Sequence, residues 1–377
     1  MSLRRIFAMM RKEVIQIWRD PRSLLVIFAM PVVQLIIYGY GVNLDIQHIP
    51  LCVYDRDATQ SSQDLLKHFQ STEYFRVVRV ADNYRDVVSR IDHGACSMAV
   101  VIPPQFSETL RSQGKARVQA LLDASDSNTA SISMGYAFAI LQAYSQQVQV
   151  DWQQRNGMLP VAPRVNFQQR TWFNEDLESM SNIVPGVVAM VMAVVGAFLT
   201  SLTIAREWER GTMEQLIATP VRKLEIQIGK LVPYFVIGMA DTALCAAFAV
   251  GWFHVPFRGS WTVLFVCSAL FLLVVLSLGY FFSVTAKSQL GASQLALLVT
   301  LLPTFLLSGF IFPIDQMPVV VQGITRVLPA RYYVSILRNV FLKGTAARLM
   351  AGDITALAIF AGMLILLATR AFHKRLE

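Results

Sequence analysis

Few side chains in this 377-residue chain are spaced for chemistry. His48, His68, His93, His254 and His373 stand apart, with no H-x-x-H or H-E-x-x-H to set two imidazoles on one helix face for zinc. Asp55, Asp57, Asp123 and Asp126 fall where strands end, without the alternating oxygen ligands of an EF-hand calcium loop. No G-x-S-x-G nucleophile elbow occurs. A phosphate-cradling G-x-x-x-x-G-K-[ST] is also missing, because Gly114-Lys115 and Gly229-Lys230 lack both the upstream glycine and the following hydroxyl. These patterns argue against a metal site, a covalent nucleophile or a nucleotide-hydrolysing loop. Two features remain: Asp241, alone in an apolar run, and a dense mixed-charge stretch from Arg206 to Leu216 (REWERGTMEQL), followed by Thr219-Pro220.

The elements that must position these features are mostly of membrane length. Apolar residues make up 54% of the chain and charged ones 15%, where a soluble domain usually carries about 25% charged. The charges crowd into the first 22 residues, the stretch from about Asp45 to Glu178, and a few short loops. Between them lie apolar runs of roughly 17–25 residues, enough to cross ~30 Å of hydrocarbon at ~1.5 Å per residue. These runs cover 23–40 (with Pro31 inside), 183–204, 231–253, 261–284, 290–312 and 353–369. Ahead of them, Leu3, Ile6, Phe7, Met10, Val14, Ile17 and Trp18 follow helical spacing, with Arg4, Arg5, Arg11, Lys12 and Arg19 on other faces. Such a helix lies in the membrane interface, apolar side down. A basic targeting peptide is the weaker reading, because the apolar run that follows is too long for a signal h-region and lacks an A-x-A-like cleavage site.

Between the first two runs the composition turns soluble. Strands are expected over 51–55, 75–80, 97–102 and 118–123, and helices over 63–69, 84–93 and 128–154; Pro103-Pro104 stops the third strand, and Pro160 and Pro163 mark an extended return. Alternating strands and helices imply a compact α/β domain. The predicted architecture is an α-helical membrane protein of six transmembrane helices with an inserted α/β extracytoplasmic domain. Its parts are an interfacial helix (1–22), a first span (23–41), the outer domain (42–180) and five further spans within 181–377. The last part includes an inner loop at 206–230 and an outer segment at 313–352, where Pro318 and Pro329 break short surface or partly re-entrant helices.

Basic residues set the orientation. With both termini cytoplasmic, the inner segments hold Arg4, Arg5, Arg11, Lys12, Arg19 and Arg22, then Arg206, Arg210, Arg222, Lys223 and Lys230, then Lys287 and the C-terminal Arg370, His373, Lys374 and Arg375. The net charge of +8 is thereby explained by span flanks, not by nucleic acid. One segment resists: 313–352 carries Arg326, Arg331, Arg338, Lys343 and Arg348, yet the crossings before it place it outside. Of the four cysteines, Cys245 and Cys267 fall in spans as small core residues. Cys52 and Cys96 fall on outer-domain strands and could pair if that side is oxidising.

The stretch from Arg206 reads as a charged helix end, broken at Gly211 and restarted with Thr212 as N-cap and Gln215 at the capping-box position. It could dock a cytoplasmic partner or simply be a solvated loop joining two spans. An ionised Asp241 at bilayer depth would cost at least ~2.5–3.5 kcal/mol. It is therefore a cation-attracting group, a proton-coupled switch, or a carboxyl hydrogen-bonded to a neighbouring span. The second and fifth spans are rich in small and flexible residues: Met190, Met192, Gly196, Thr200 and Ser201, then Thr300, Thr304, Ser308 and Gly309. Such residues suit close packing, and they suit adaptable contacts with varied ligands.

REWERGTMEQL after the second span resembles the signature of bacterial ABC-2 type transport permeases. Further matches in the same order are KEVIQIWRDPR (Lys12 to Arg22), WFN (Trp172 to Asn174), LLSGFIFPIDQMP (Leu306 to Pro318) and LPARYYV (Leu328 to Val334). They span nearly the whole chain and fit the subgroup with a large outer domain between spans one and two. The resemblance implies a dimer of permeases, as two copies or a copy and a paralogue, working with cytoplasmic ATP-hydrolysing subunits that carry ATP and Mg. Arg206, Glu207, Glu209, Arg210, Gly211, Thr212 and Glu214 would then form the coupling region that meets the ATPase. The N-terminal helix would be the interfacial connecting helix. Spans two and five would line the pathway, with Met190, Thr200, Asp241, Thr304 and Ser308 as candidate contacts. Drugs, lipids or other amphiphiles would leave by alternating access, with a periplasmic adaptor as a further possible partner and membrane lipid around the spans. This chain would itself hold no cofactor.

Two other readings are available. In a receptor or scaffold the outer domain would bind a ligand or envelope protein while the spans only anchored it, and six spans exceed what anchoring needs. An intramembrane enzyme would need paired groups at membrane depth, and Asp241 stands alone.

Overall fold

The computed structural model describes residues 2–41, 48–113, 115–155 and 179–372. Trp172 to Asn174, Pro160, Pro163 and the basic residues after Phe372 lie outside the described residues. The chain divides into two compact units, one of residues 1–43 with 171–377 and one of residues 44–170.

The smaller unit is an α/β domain. Its strands are β1 (Ile49–Asp55), β2 (Phe75–Val80), β3 (Met98–Ile102) and β4 (Gln119–Leu122), in the order β2-β1-β3-β4. β1 runs parallel to β2 and β3, and β4 runs antiparallel to β3. Alternation along β1 sends Leu51 and Val53 to one face, where they join Leu65 and Phe69 of α3 (Gln60–Gln70) and Ile140 and Tyr144 of the long α6 (Ser127–Arg155). The opposite face holds Cys52, Cys96 and Ala99, closed by Val87 of α4 (Tyr84–Asp92). Cys52 and Cys96 form a disulfide across a Cα–Cα distance of 5.8 Å. α5 (Phe106–Gln113) had no clear sequence signal, since Phe106 and Leu110 are its only large apolar residues. The strand-end aspartates close turns: Asp55 accepts from the Asp57 and Ala58 amides at 3.0 Å, and Asp123 accepts from the Ser125 amide at 3.0 Å.

The larger unit begins with α1 (Leu3–Trp18) and α2 (Pro21–Gly41), then continues with α7 (Ser179–Glu209), α8 (Met213–Ala218), α9 (Lys223–Gly251), α10 (Trp261–Ala286) and α11 (Gln289–Leu307). The segment before the last helix breaks into short pieces, including α12 (Val319–Thr325) and α13 (Pro329–Arg338), before α14 (Ala351–Ala371). Five of these helices, α7, α9, α10, α11 and α14, are long and apolar enough to cross a membrane. The described apolar part of α2, Ile27–Gly41, is shorter than the expected first span. α11 also stops before its expected end, where Ser308 caps it and Gly309 turns the chain at φ +82°.

α7 is the hub. It packs against α2, α9, α10, α11 and α13, and 89% of its apolar stretch is buried, against 22% for α11 and 17% for α14. The apolar faces left open on α11 (Leu295, Leu298, Leu302, Leu306) and α14 (Ile359, Met363, Leu366) suit lipid or another transmembrane helix.

Candidate functional site

α1 carries two apolar stripes where the sequence suggested one. Ile6, Met9 and Ile17 are buried, the first two against Gly229 of α9, and Leu3, Phe7, Val14 and Trp18 stay exposed. Gly229 lets the two helices touch, because a Cβ there would sit 2.6 Å from the Met9 Cβ. Each fully buried Ile or Met contributes ~1.5–3 kcal/mol to holding α1 in place. Glu13 lies in that buried stripe, an unfavourable position for a carboxylate unless it is paired.

Its partner is Lys230, near the start of α9 and 1% exposed. The Lys230 ammonium donates to Glu13, to Glu207 at 3.1 Å and to the Thr203 carbonyl at 3.3 Å. Glu207 also accepts from Lys12 at 2.7 Å and from the Thr212 hydroxyl. Three helices distant in sequence, α1, α7 and α9, thus share one buried ion network. Lys230 was expected among the exposed basic flanks; it is buried because two carboxylates meet there. Thr212 was expected to cap α8. Its side chain instead donates back to Glu207 and makes no cap bond, so the turn at Gly211 (φ +68°) is pinned to the end of α7.

Neighbouring contacts fasten the same end. Arg206 pairs with Asp20 at 3.3 Å, and Glu209 accepts from the backbone amide of Gln289 at 2.6 Å and from its side chain, joining the end of α7 to the start of α11. Ser283 of α10 accepts from the Ile204 and Ala205 amides at 2.9 Å each. Glu225 accepts from the Ser2 amide at 2.7 Å, and Arg5 donates to the Pro220 carbonyl at 2.6 Å. The expected coupling residues therefore split into two sets. Arg206 and Glu207 are buried and structural, whereas Glu209, Arg210, Gly211 and Glu214 form an exposed surface held on that base. Thr212 links the two.

The expected pathway residues are all buried within the single chain. Met190 and Thr200 lie on α7, Thr304 on α11, and Ser308 caps it. The Thr200 hydroxyl donates to the Gly196 carbonyl at 2.8 Å, and Ser308 donates to the Thr304 carbonyl. Asp241 lies elsewhere, on α9, beside a small cavity of about 10 Å³ between α7, α9 and α10. Met192, Leu199, Ile237, Leu272 and Leu276 line it, and Met190, Thr200, Thr304 and Ser308 do not. Asp241 is 5% exposed, and its Oδ1 meets no hydrogen-bond partner among the described residues. No cluster of three or more metal-ligating side chains occurs among the described residues.

Helices long and apolar enough to cross a membrane, with an exposed charged turn fastened to a buried ion network, suit a transport permease. The family model for the ABC-2 family transporter protein matches residues 22–370, and the chain belongs to that family. It is the permease subunit of an ABC exporter and not its ATPase. It is 37% identical to the probable multidrug ABC transporter permease YbhS of Escherichia coli K12, over all of this chain and 99% of the relative. It is 27% identical to the probable multidrug ABC transporter permease YbhR of the same organism, over 90% of each chain. The inner membrane transport permease YhhJ of E. coli K12 is 25% identical over 99% of this chain and 98% of its own.

Proposed function

We propose that this permease crosses the inner membrane six times, with α2 as the first span and both termini in the cytoplasm, and exports drug-like or other amphiphilic molecules as half of a permease pair. The printed descriptions of YbhS and YbhR as probable multidrug permeases support the substrate class. The Cys52–Cys96 disulfide supports an external α/β domain, because such bonds persist in oxidising compartments. An adaptor that meets the α/β domain outside the membrane fits the same reading.

The buried network of Glu13, Lys230 and Glu207 is the observation that carries the mechanism. In the proposed cycle the ATPase docks on the exposed Glu209, Arg210, Gly211 and Glu214 and displaces the α7–α8 turn. The turn cannot move alone, since Thr212 and Glu207 tie it through Lys230 to α1 and α9. A push at the surface therefore shifts three helices together, and α7, surrounded by protein, passes it to the bundle. Met190, Thr200, Thr304, Ser308 and Asp241 become pathway contacts only when those helices part.

The test is reconstitution. The purified permease should hydrolyse no ATP in vesicles, and adding its ATPase should give hydrolysis coupled to outward movement of an amphiphilic dye. A cysteine at Glu214 should cross-link to the ATPase and not to an impermeant external reagent. External labelling at that position would overturn the orientation.

A further inference from the structure

We propose that the cleft between α1 and the end of α7 is a binding site for an anionic amphiphile, with its acidic headgroup on Arg19 and Arg210 and its apolar tail along Leu202 and Phe198. The cleft measures about 770 Å³, room for a headgroup and the first part of a chain. Four cations line it, Lys12, Arg19, Arg206 and Arg210, against one carboxylate, Asp20. Two of those cations already have partners: Lys12 is held by Glu207, and Arg206 by Asp20. Arg19 and Arg210 form no ion pair with any described carboxylate, and both are exposed. Two guanidiniums lining one cleft, neither in an ion pair among the described residues, suit a phosphate, sulfate or carboxylate, which each can grip through two parallel N–H bonds.

The polarity of the cleft changes with depth in the way an amphiphile does. Along α7, Leu202 lies one turn and Phe198 two turns beyond Arg206, about 6 and 12 Å further in at ~1.5 Å per residue. Ile15 of α1 supplies apolar surface from the other side. A soluble anion would leave this wall unused, and a neutral lipid would leave the arginines unpaired. The site deepens the exporter reading and rests on it only for the placement of α1 at a membrane surface. It adjoins Glu207 and shares Arg210 with the proposed docking surface, so a bound headgroup would sit at the edge of the turn that the ATPase moves.

The test is native mass spectrometry of the purified full-length permease in detergent, titrated with phosphatidylglycerol, phosphatidylethanolamine, dodecyl phosphate and inorganic phosphate. Phosphatidylglycerol should bind in preference to phosphatidylethanolamine, and the double variant Arg19→Gln, Arg210→Gln should lose roughly tenfold or more of that affinity, as expected for removing charge-assisted contacts. Leu202→Gln should weaken dodecyl phosphate and leave inorganic phosphate unchanged. Displacement of phosphatidylglycerol by dodecyl phosphate assigns the cleft to passing amphiphiles, and retention against excess assigns it to a resident lipid; both support the shared chemistry. Equal phosphatidylglycerol binding by the wild type and a double variant that melts normally would overturn the proposal. A failure of ATP-driven transport would leave these binding results unchanged, so the two readings fail separately.

Discussion

Glu207 and Asp241 are carboxylates on adjoining membrane-length helices, and both are almost wholly buried, yet their surroundings differ completely. Glu207 sits where α7 ends, with Lys230, Lys12 and Thr212 around it. Asp241 lies eleven residues beyond Lys230 on α9, ~16 Å deeper at ~1.5 Å per residue, among leucines and methionine. A charge can be buried beside opposite charge; without one it is either neutral or expensive. In the proposed cycle, pairing stands at the end that receives the force. The Asp241 Oδ1 has no partner among the described residues, inside helices that part in the same proposed cycle. The contrast separates a fastening from a switchable position.

The largest effect should come from removing the shared cation. Lys230→Met leaves Glu13 and Glu207 facing each other in the interior, and should cost about 3–5 kcal/mol, the range for breaking a buried pair. Thermal unfolding of the purified permease in detergent measures it, and a loss below about 1 kcal/mol would show the network to be solvated. The comparison sharpens if Glu13→Gln and Glu207→Gln are added to Lys230→Met. The triple variant should recover most of the loss while unfastening α1, because a neutral core tolerates burial that lone charges do not.

Asp241→Asn should do far less, shifting stability by under about 1 kcal/mol, since an amide is close to a neutral carboxyl in shape and adds only one donor. A loss as large as that of Lys230→Met would mean that Asp241 is ionised and paired with a cation contributed from elsewhere, and the contrast would collapse. The smallest stability effect belongs to Glu214→Lys on the exposed face of α8, within about 0.5 kcal/mol. The same variant should separate ATP hydrolysis from transport in the reconstituted complex. Normal coupling would move the docking surface elsewhere.

The sequence made the long apolar helices legible because hydropathy and length settle them alone. It placed α1 at Leu3–Trp18 and brought the four strands to within two residues, since alternation and flanking prolines bound them. It did not show the ion network. Glu13 and Lys230 are 217 residues apart, and each looks like an ordinary flanking charge until the helices are packed. A signal did exist: Glu13 falls in line with Ile6, Met9 and Ile17, an odd place for a carboxylate that faces water. α7 also runs past its apolar stretch to Glu209, because Arg206 and Glu207 find partners across the bundle that no local pattern announces. Cys52 and Cys96 could pair or not on sequence grounds; packing α4 over that sheet face brought them together.

β1 lies between β2 and β3 in the sheet, but it is the first of the strands to leave the ribosome. Its apolar Ile49, Leu51 and Val53, and hydrogen-bonding groups on both edges, stay uncovered until synthesis has passed Ile102. For that interval the nascent permease carries an open, β-prone segment just after α2, which apart from Pro50 is the kind of sequence that associates with its own copies. Producing this protein faster than its α/β domain can fold should therefore lead to losses at that strand before any membrane helix fails.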